Sequence, residues 1–106
     1  MTKSIKALSF ISALLLSAVL AFAANITGKV TVKGAPLVGA VVTANLIGAK
    51  GPTAVSVTKT GVDGGYSLQG LANGNYIFLV DMNSRRVYQG KITLTGSALV
   101  KNISLQ

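Results

Sequence analysis

Asp63 and Asp81 are the only carboxylate side chains in a chain of 106 residues that contains no His, no Cys and no Glu. Two carboxylates flanking one bond are the minimum set for glycoside hydrolysis, where one acts as acid and the other as base or nucleophile. Asp63, however, begins an Asp-Gly-Gly sequence, and an Asp in that setting hydrogen-bonds its own backbone two residues on. It is expected to shape a turn and not to face Asp81 across a cleft. Without imidazole or thiolate, the nucleophilic triads and dyads and the usual structural zinc sites lack their side chains. Calcium takes about six to eight oxygens with several carboxylates among them, which this sequence does not offer. The reading is therefore no catalytic residue, no metal site, no cofactor and no enzymatic activity.

Ten Lys and Arg against two Asp give a net charge of +8. Arg85, Arg86, Lys91 and Lys101 are the candidate anion-binding residues, since a basic chain is drawn to acidic polymers, anionic headgroups or nucleic acid, and more weakly as salt rises. A structural use competes with that one. Lysines on the solvent faces of strands keep sheet edges from pairing, which suits Lys29, Lys91 and Lys101, with Arg85-Arg86 as part of a polar turn. The cations are scattered and not interleaved with aromatics, which favours the structural use. Tyr66 and Tyr76 present faces on which a sugar could stack, but in apolar strand runs they read as packing residues with the hydroxyl at the rim. Phe78 and Met82 read as core fillers.

The elements that position these residues begin with a leader. Lys3 and Lys6 form a charged start, Ala7 to Leu20 is apolar, and Ala21-Phe22-Ala23 is a small-residue cleavage site, so Met1 to Ala23 reads as a secretory signal peptide with a helical apolar segment. Its removal takes the net charge from +8 to +6, leaves one domain over 24–106, and leaves no stable membrane span. Export without cysteine points to a periplasmic or extracellular domain that holds together without disulfides.

Past the leader, turn signals divide the chain into seven short runs with strand alternation and no sustained helical period. Asn25 to Val32 places Ile26, Gly28, Val30 and Val32 on one face, with Lys33-Gly34-Ala35-Pro36 ending it. Leu37 to Leu46 puts Val38, Ala40, Val42, Ala44 and Leu46 in phase, and Ala54 to Thr60 alternates Val55 and Val57 with Ser56 and Thr58. Tyr66 to Gln69 and Asn75 to Met82 each follow a tight-turn signal, Asp63-Gly64-Gly65 and Asn73-Gly74, and read as neighbours in a β-meander. Arg86 to Thr95 and Ala98 to Leu105 complete the set. Short alternating strands at this spacing pack as an all-β antiparallel sandwich.

Gly34-Ala35-Pro36-Leu37-Val38-Gly39-Ala40-Val41-Val42, then Thr60, Asp63-Gly64-Gly65-Tyr66-Ser67-Leu68, then Gly70-Leu71 and Gly74-Asn75-Tyr76, resembles the carboxypeptidase regulatory-like domain. That family is related to the transthyretin-like and collagen-adhesin B-type sandwiches. The resemblance implies a seven-stranded Greek-key sandwich of the prealbumin/transthyretin-like kind. It also implies a non-catalytic accessory or scaffold module, with Thr60, Asp63, Gly64, Gly65, Tyr66, Leu68, Gly70, Leu71, Gly74 and Tyr76 as its motif residues. The family often has an acidic residue directly after the threonine, where this chain has Gly61. Related adhesin domains join a first-strand Lys to a last-strand Asn, for which Lys29 and Asn102 stand in matching strands, but the Glu that assists that reaction is missing here.

The expected function is a structural or accessory module that binds another envelope or secreted protein. Two other uses are a binder of anionic envelope polymer or extracellular nucleic acid, from the charge, and a fibre or matrix subunit, from free sheet edges and a Thr-, Val- and Gly-rich composition.

Overall fold

The computed structural model describes residues 24–96 and 98–106, and every element among them is a strand. The expected leader, with its helix and its cleavage residues Ala21 and Ala23, lies outside the described residues. The strands are β1 (Ala24–Val32), β2 (Ala35–Pro36), β3 (Val41–Gly48), β4 (Gly51–Lys59), β5 (Gly65–Leu71), β6 (Gly74–Met82), β7 (Arg85–Leu94), β8 (Leu99–Val100) and β9 (Ile103–Leu105). They form two sheets. One is built around β1, which pairs antiparallel with β2 and β5 and parallel with β8 and β9. The other is antiparallel throughout, in the order β4-β3-β6-β7.

With β2 as a short hairpin extension of β1, and β8 and β9 as one run broken at Lys101-Asn102, the seven expected strands are present. Two pairings differ from the sequence reading. The last run lies parallel to β1, because the chain reaches it only after building the whole opposite sheet, and such a crossover is what a parallel pair requires. The expected β5–β6 meander does not form either. β5 pairs with β1 and β6 pairs with β3 and β7, so the short Ala72-Asn73 connection carries the chain from one sheet to the other. Gly-rich turn signals report that the chain reverses, and not whether it stays in its sheet.

Alternate residues of both sheets meet in the core. Ile26 and Val30 of β1, Leu68 of β5 and Ile103 of β9 face Val42, Tyr76, Phe78, Val80 and Leu94 of the other sheet, all buried. Each such side chain contributes about 1.5–3 kcal/mol on burial. Phe78 also meets Tyr66 across the interface with ring centroids 5.6 Å apart, the spacing of a favourable tilted aromatic pair. Three valines leave the expected phase. Val38 is 48% exposed because residues 37–40 form a loop, with φ of 78° at Gly39, before β3 begins. Val57 is 60% exposed, and Ser56 and Thr58 take the inward positions of β4 opposite Ala44 and Val42. Val55 is the extra residue of a bulge between Ser56 and Ala54.

Candidate functional site

Thr60, Asp63, Gly64 and Gly65 of the motif gather at the turn between β4 and β5, where they bond to main chain, and the rest lie along β5 and at the start of β6. Thr60 is buried. Its Oγ1 accepts the Ala40 N–H at 2.9 Å and donates to the Leu37 carbonyl at 2.6 Å, while its own N–H donates to the Ala40 carbonyl. The loop before β3 is thereby held by one hydroxyl. Asp63 Oδ1 accepts the Gly65 N–H at 2.9 Å, which holds its carboxyl below the usual aspartate range. Gly64 sits at φ 79°, where a β-carbon would stand 2.5 Å from the Val30 carbonyl oxygen, and its own carbonyl accepts the Val30 N–H. Close backbone approach at a left-handed position is what demands glycine there.

Tyr66 and Tyr76 are both buried core residues with hydroxyls bonded to main chain. Tyr76 donates to the Ala72 carbonyl four residues upstream, at 2.6 Å. Tyr66 donates to the Lys101 carbonyl, and burial pushes its hydroxyl pKa far above the ordinary tyrosine value, with Tyr88 adding to the shift. Leu68 and Leu71 are buried beside them, Gly70 donates its N–H to Asn25 Oδ1, and Gly74 begins β6. Their polar groups bond main chain or a neighbouring side chain, and their leucines fill the core.

The candidate cations separate. Asn83 and Ser84, both at positive φ, make the turn before β7, and Arg85 and Arg86 are strand residues beyond it. Arg86 Nε bonds Asp81 Oδ1 at 2.9 Å. Lys91 is exposed further along β7, opposite Ile77. Lys101 stands apart in the other sheet, half-buried on the bend between β8 and β9. Its Nζ lies 6.0 Å above the Tyr88 ring, so it does not sit on the solvent face of a strand. The structure therefore brings Arg86 and Lys91 to one sheet and leaves Lys101 elsewhere.

That sheet carries a surface that the sequence reading missed. Register places Lys59, Val41, Asp81 and Arg86 in one row across its outer face, Val57, Thr43, Leu79 and Gln89 in the next, and Ala54, Asn45, Ile77 and Lys91 in a third. Ile47 and Pro52 extend it toward the β3–β4 hairpin. A shallow depression of about 200 Å³ crosses it, lined by Asn45, Pro52, Ile77, Leu79, Arg86 and Gln89. The outer face of the β1 sheet is more polar: Thr27, Lys29, Thr31, Ser67, Gln69 and Ser104 occupy it, together with Val100, exposed opposite Thr27. A sheet that faces water on one side usually shows mostly polar residues there, as the mixed β1 sheet does. The signal was the unbroken apolar run Tyr76-Ile77-Phe78-Leu79-Val80. Alternate members fill the core, and Ile77 and Leu79 must then point out.

No protein-family model and no curated protein matches the sequence. Solved structures match its fold. A DUF3823 family protein from Parabacteroides merdae superposes with a TM-score of 0.60 at 18% identity over 79% of this chain and 46% of that one. The chain thus spans about half the length of that protein. Transthyretin from Sparus aurata gives 0.54 at 15% identity, over 74% of this chain and 89% of that one. The dioxygenase domain of a dioxygenase–carbohydrate-binding fusion from Streptomyces sp. SirexAA-E gives 0.57 at 13% identity, over 84% and 82%. At these identities the likeness is one of fold, and the fold is a transthyretin-like β-sandwich.

Proposed function

We propose that this chain is an exported, non-catalytic β-sandwich module of the carboxypeptidase regulatory-like kind, which acts in the periplasm or outside the cell by binding another protein. The observation that carries the proposal is the contrast between the two outer faces. One is polar but for Val100, and the other exposes Val57 at 60% and Ile47 at 37% beside Ile77 and Leu79. A contiguous apolar patch rimmed by polar residues on a small protein is the usual mark of an interaction surface. The side-chain chemistry supports the same reading, since Asp63 closes its own turn and Asp81 pairs with Arg86. The Streptomyces domain is a dioxygenase, but at 13% identity the likeness to it is one of fold and carries no activity over to this chain.

A photoreactive residue placed in turn at Gln89, on the apolar face, and at Gln69, on the polar face, tests the proposal in the producing cell. Protein adducts from either position are expected. Adducts from neither would remove the protein-binding reading.

A further inference from the structure

We infer that the outer face of the β4-β3-β6-β7 sheet docks an acidic segment of a partner protein, one that places an apolar side chain between carboxylates. This rests on the protein-binding reading above and adds the surface and the chemistry of what covers it. The depression of about 200 Å³ is smaller than the roughly 300–1,000 Å³ of pockets that enclose small molecules. It suits one inserted side chain. Ile77, Leu79 and Pro52 give it an apolar part, and Asn45, Gln89 and Arg86 a polar one. Asn45 Nδ2 already donates to the Ile77 carbonyl at 3.2 Å, which fixes that side chain beside Ile77.

Charge selects the partner. Lys59, Arg86 and Lys91 surround the patch on the same face, and Asp81 is the one carboxylate among the residues of these rows. The Arg86 bonds to Asp81 run through Nε and Nη2, so Nη1 can still donate to an incoming carboxylate. A second copy of this chain docking through the same face would bring Lys59, Arg86 and Lys91 against their own equivalents. Like charges across an interface are costly, so complementarity points to an acidic partner and away from self-association. Pairing at the β4 edge is also discouraged, because β4 carries Pro52, the Val55 bulge and Lys59, which are devices that blunt a sheet edge.

The test titrates the isotope-labelled protein with an acetylated pentapeptide that has Phe between pairs of Glu. Amide shifts confined to Thr43, Asn45, Ile77, Leu79 and Gln89 are expected, with binding weakened at least about fivefold by Lys91→Glu and by Val57→Glu, and weakened further by added salt. Both substitutions sit at exposed positions, and an unchanged amide spectrum outside the patch certifies that each variant is folded. Equal binding of a control peptide with Lys in place of each Glu overturns the proposal. So do shifts on Thr27, Ser67 and Gln69, absence of binding, concentration-dependent dimerisation through the face, or attachment to phosphatidylglycerol vesicles that protects it. In the cell, adducts from Gln69 with none from Gln89 would remove this inference and leave the protein-binding reading intact.

Discussion

The hydroxyl of Tyr66 donates to the main-chain carbonyl of Lys101 at the break between β8 and β9, alongside β1, and the contact passes over Gly28. The break between β8 and β9 leaves ladder groups in need of partners, and side chains supply them. Tyr66 takes the Lys101 carbonyl, while Asn102 Oδ1 accepts the Lys29 N–H at 3.0 Å. A β-carbon at Gly28 would overlap the Lys101 oxygen. Gly28→Ala is therefore expected to cost more than about 3 kcal/mol, since backbone has to move to relieve the overlap. Tyr66→Phe should cost about 1–3 kcal/mol for a carbonyl left without its donor. Denaturant melts measure both, and a Gly28→Ala variant as stable as the parent would refute the geometry.

The same hydroxyl makes stability depend on alkaline pH. Burial raises the Tyr66 pKa in the folded chain above its unfolded value of 10.0. The folded state then holds a proton that the unfolded state releases, so this contribution is complete below the unfolded pKa and is lost as pH rises above it toward the folded pKa. Melting temperature should fall above about pH 10, and less steeply in Tyr66→Phe. Parallel profiles for the two proteins would show that other groups govern the alkaline limb.

Thr60 provides the most selective test of the motif turn. Thr60→Val keeps the shape and removes the hydroxyl, which leaves the Ala40 N–H and the Leu37 carbonyl unpaired in a buried place. A loss of about 3 kcal/mol is expected, against about 1 for Thr60→Ser, which keeps the oxygen and drops a methyl. Similar losses for the two variants would mean that packing, and not the hydroxyl, holds the loop.

How far the sequence could be read depended on whether a signal was local. Alternation in Ile26, Gly28, Val30 and Val32 gives the inner face of β1 directly, and Asp63-Gly64-Gly65 gives a turn whose Asp bonds Gly65 as such turns do. Pairing partners are not local. Nothing in Tyr66 to Val80 says that Ala72-Asn73 changes sheet, and the parallel placement of β9 follows from topology alone. Edge position is equally hidden: Val55 and Val57 have the composition of inward residues, but β4 is the outermost strand and a bulge shifts its phase. The apolar outer face could have been inferred from Ile77 and Leu79. Its cations could not, since Lys59, Arg86 and Lys91 converge only through register.

Tyr76 and Lys101 mark the ends of the stability scale. Tyr76→Ala empties a fully buried site in the longest apolar run and should cost about 3 kcal/mol, whereas Tyr76→Phe loses only the bond to Ala72, about 1. Sequence position alone made Lys101 a dispensable surface charge. Its ammonium over the Tyr88 ring raises the expected cost of Lys101→Ala to about 0.5–1 kcal/mol. Chemical melts of the three variants rank them, and a neutral Tyr76→Ala would mean that the ring does not pack where it is placed.

The Lys29 and Asn102 pair, matched by position to the crosslinking residues of related adhesin domains, is expected to stay unlinked. An isopeptide bond forms when a lysine Nζ attacks the Asn Cγ and ammonia leaves, so both groups must be buried together beside an acid that moves the protons. Here the Lys29 side chain is exposed, in phase with Thr27 on the outer face of the β1 sheet. What reaches Asn102 is the Lys29 main-chain N–H and not its ammonium. Of the two carboxylates, Asp63 lies nearer Lys29 but is exposed in its own turn with the Gly65 N–H, and Asp81 lies on the outer face of the opposite sheet in its bond to Arg86, with the whole core between it and Asn102. Intact-mass measurement of the mature 24–106 domain should therefore return its full mass. A deficit of one ammonia that maps to a Lys29–Asn102 peptide would contradict the placement of both side chains.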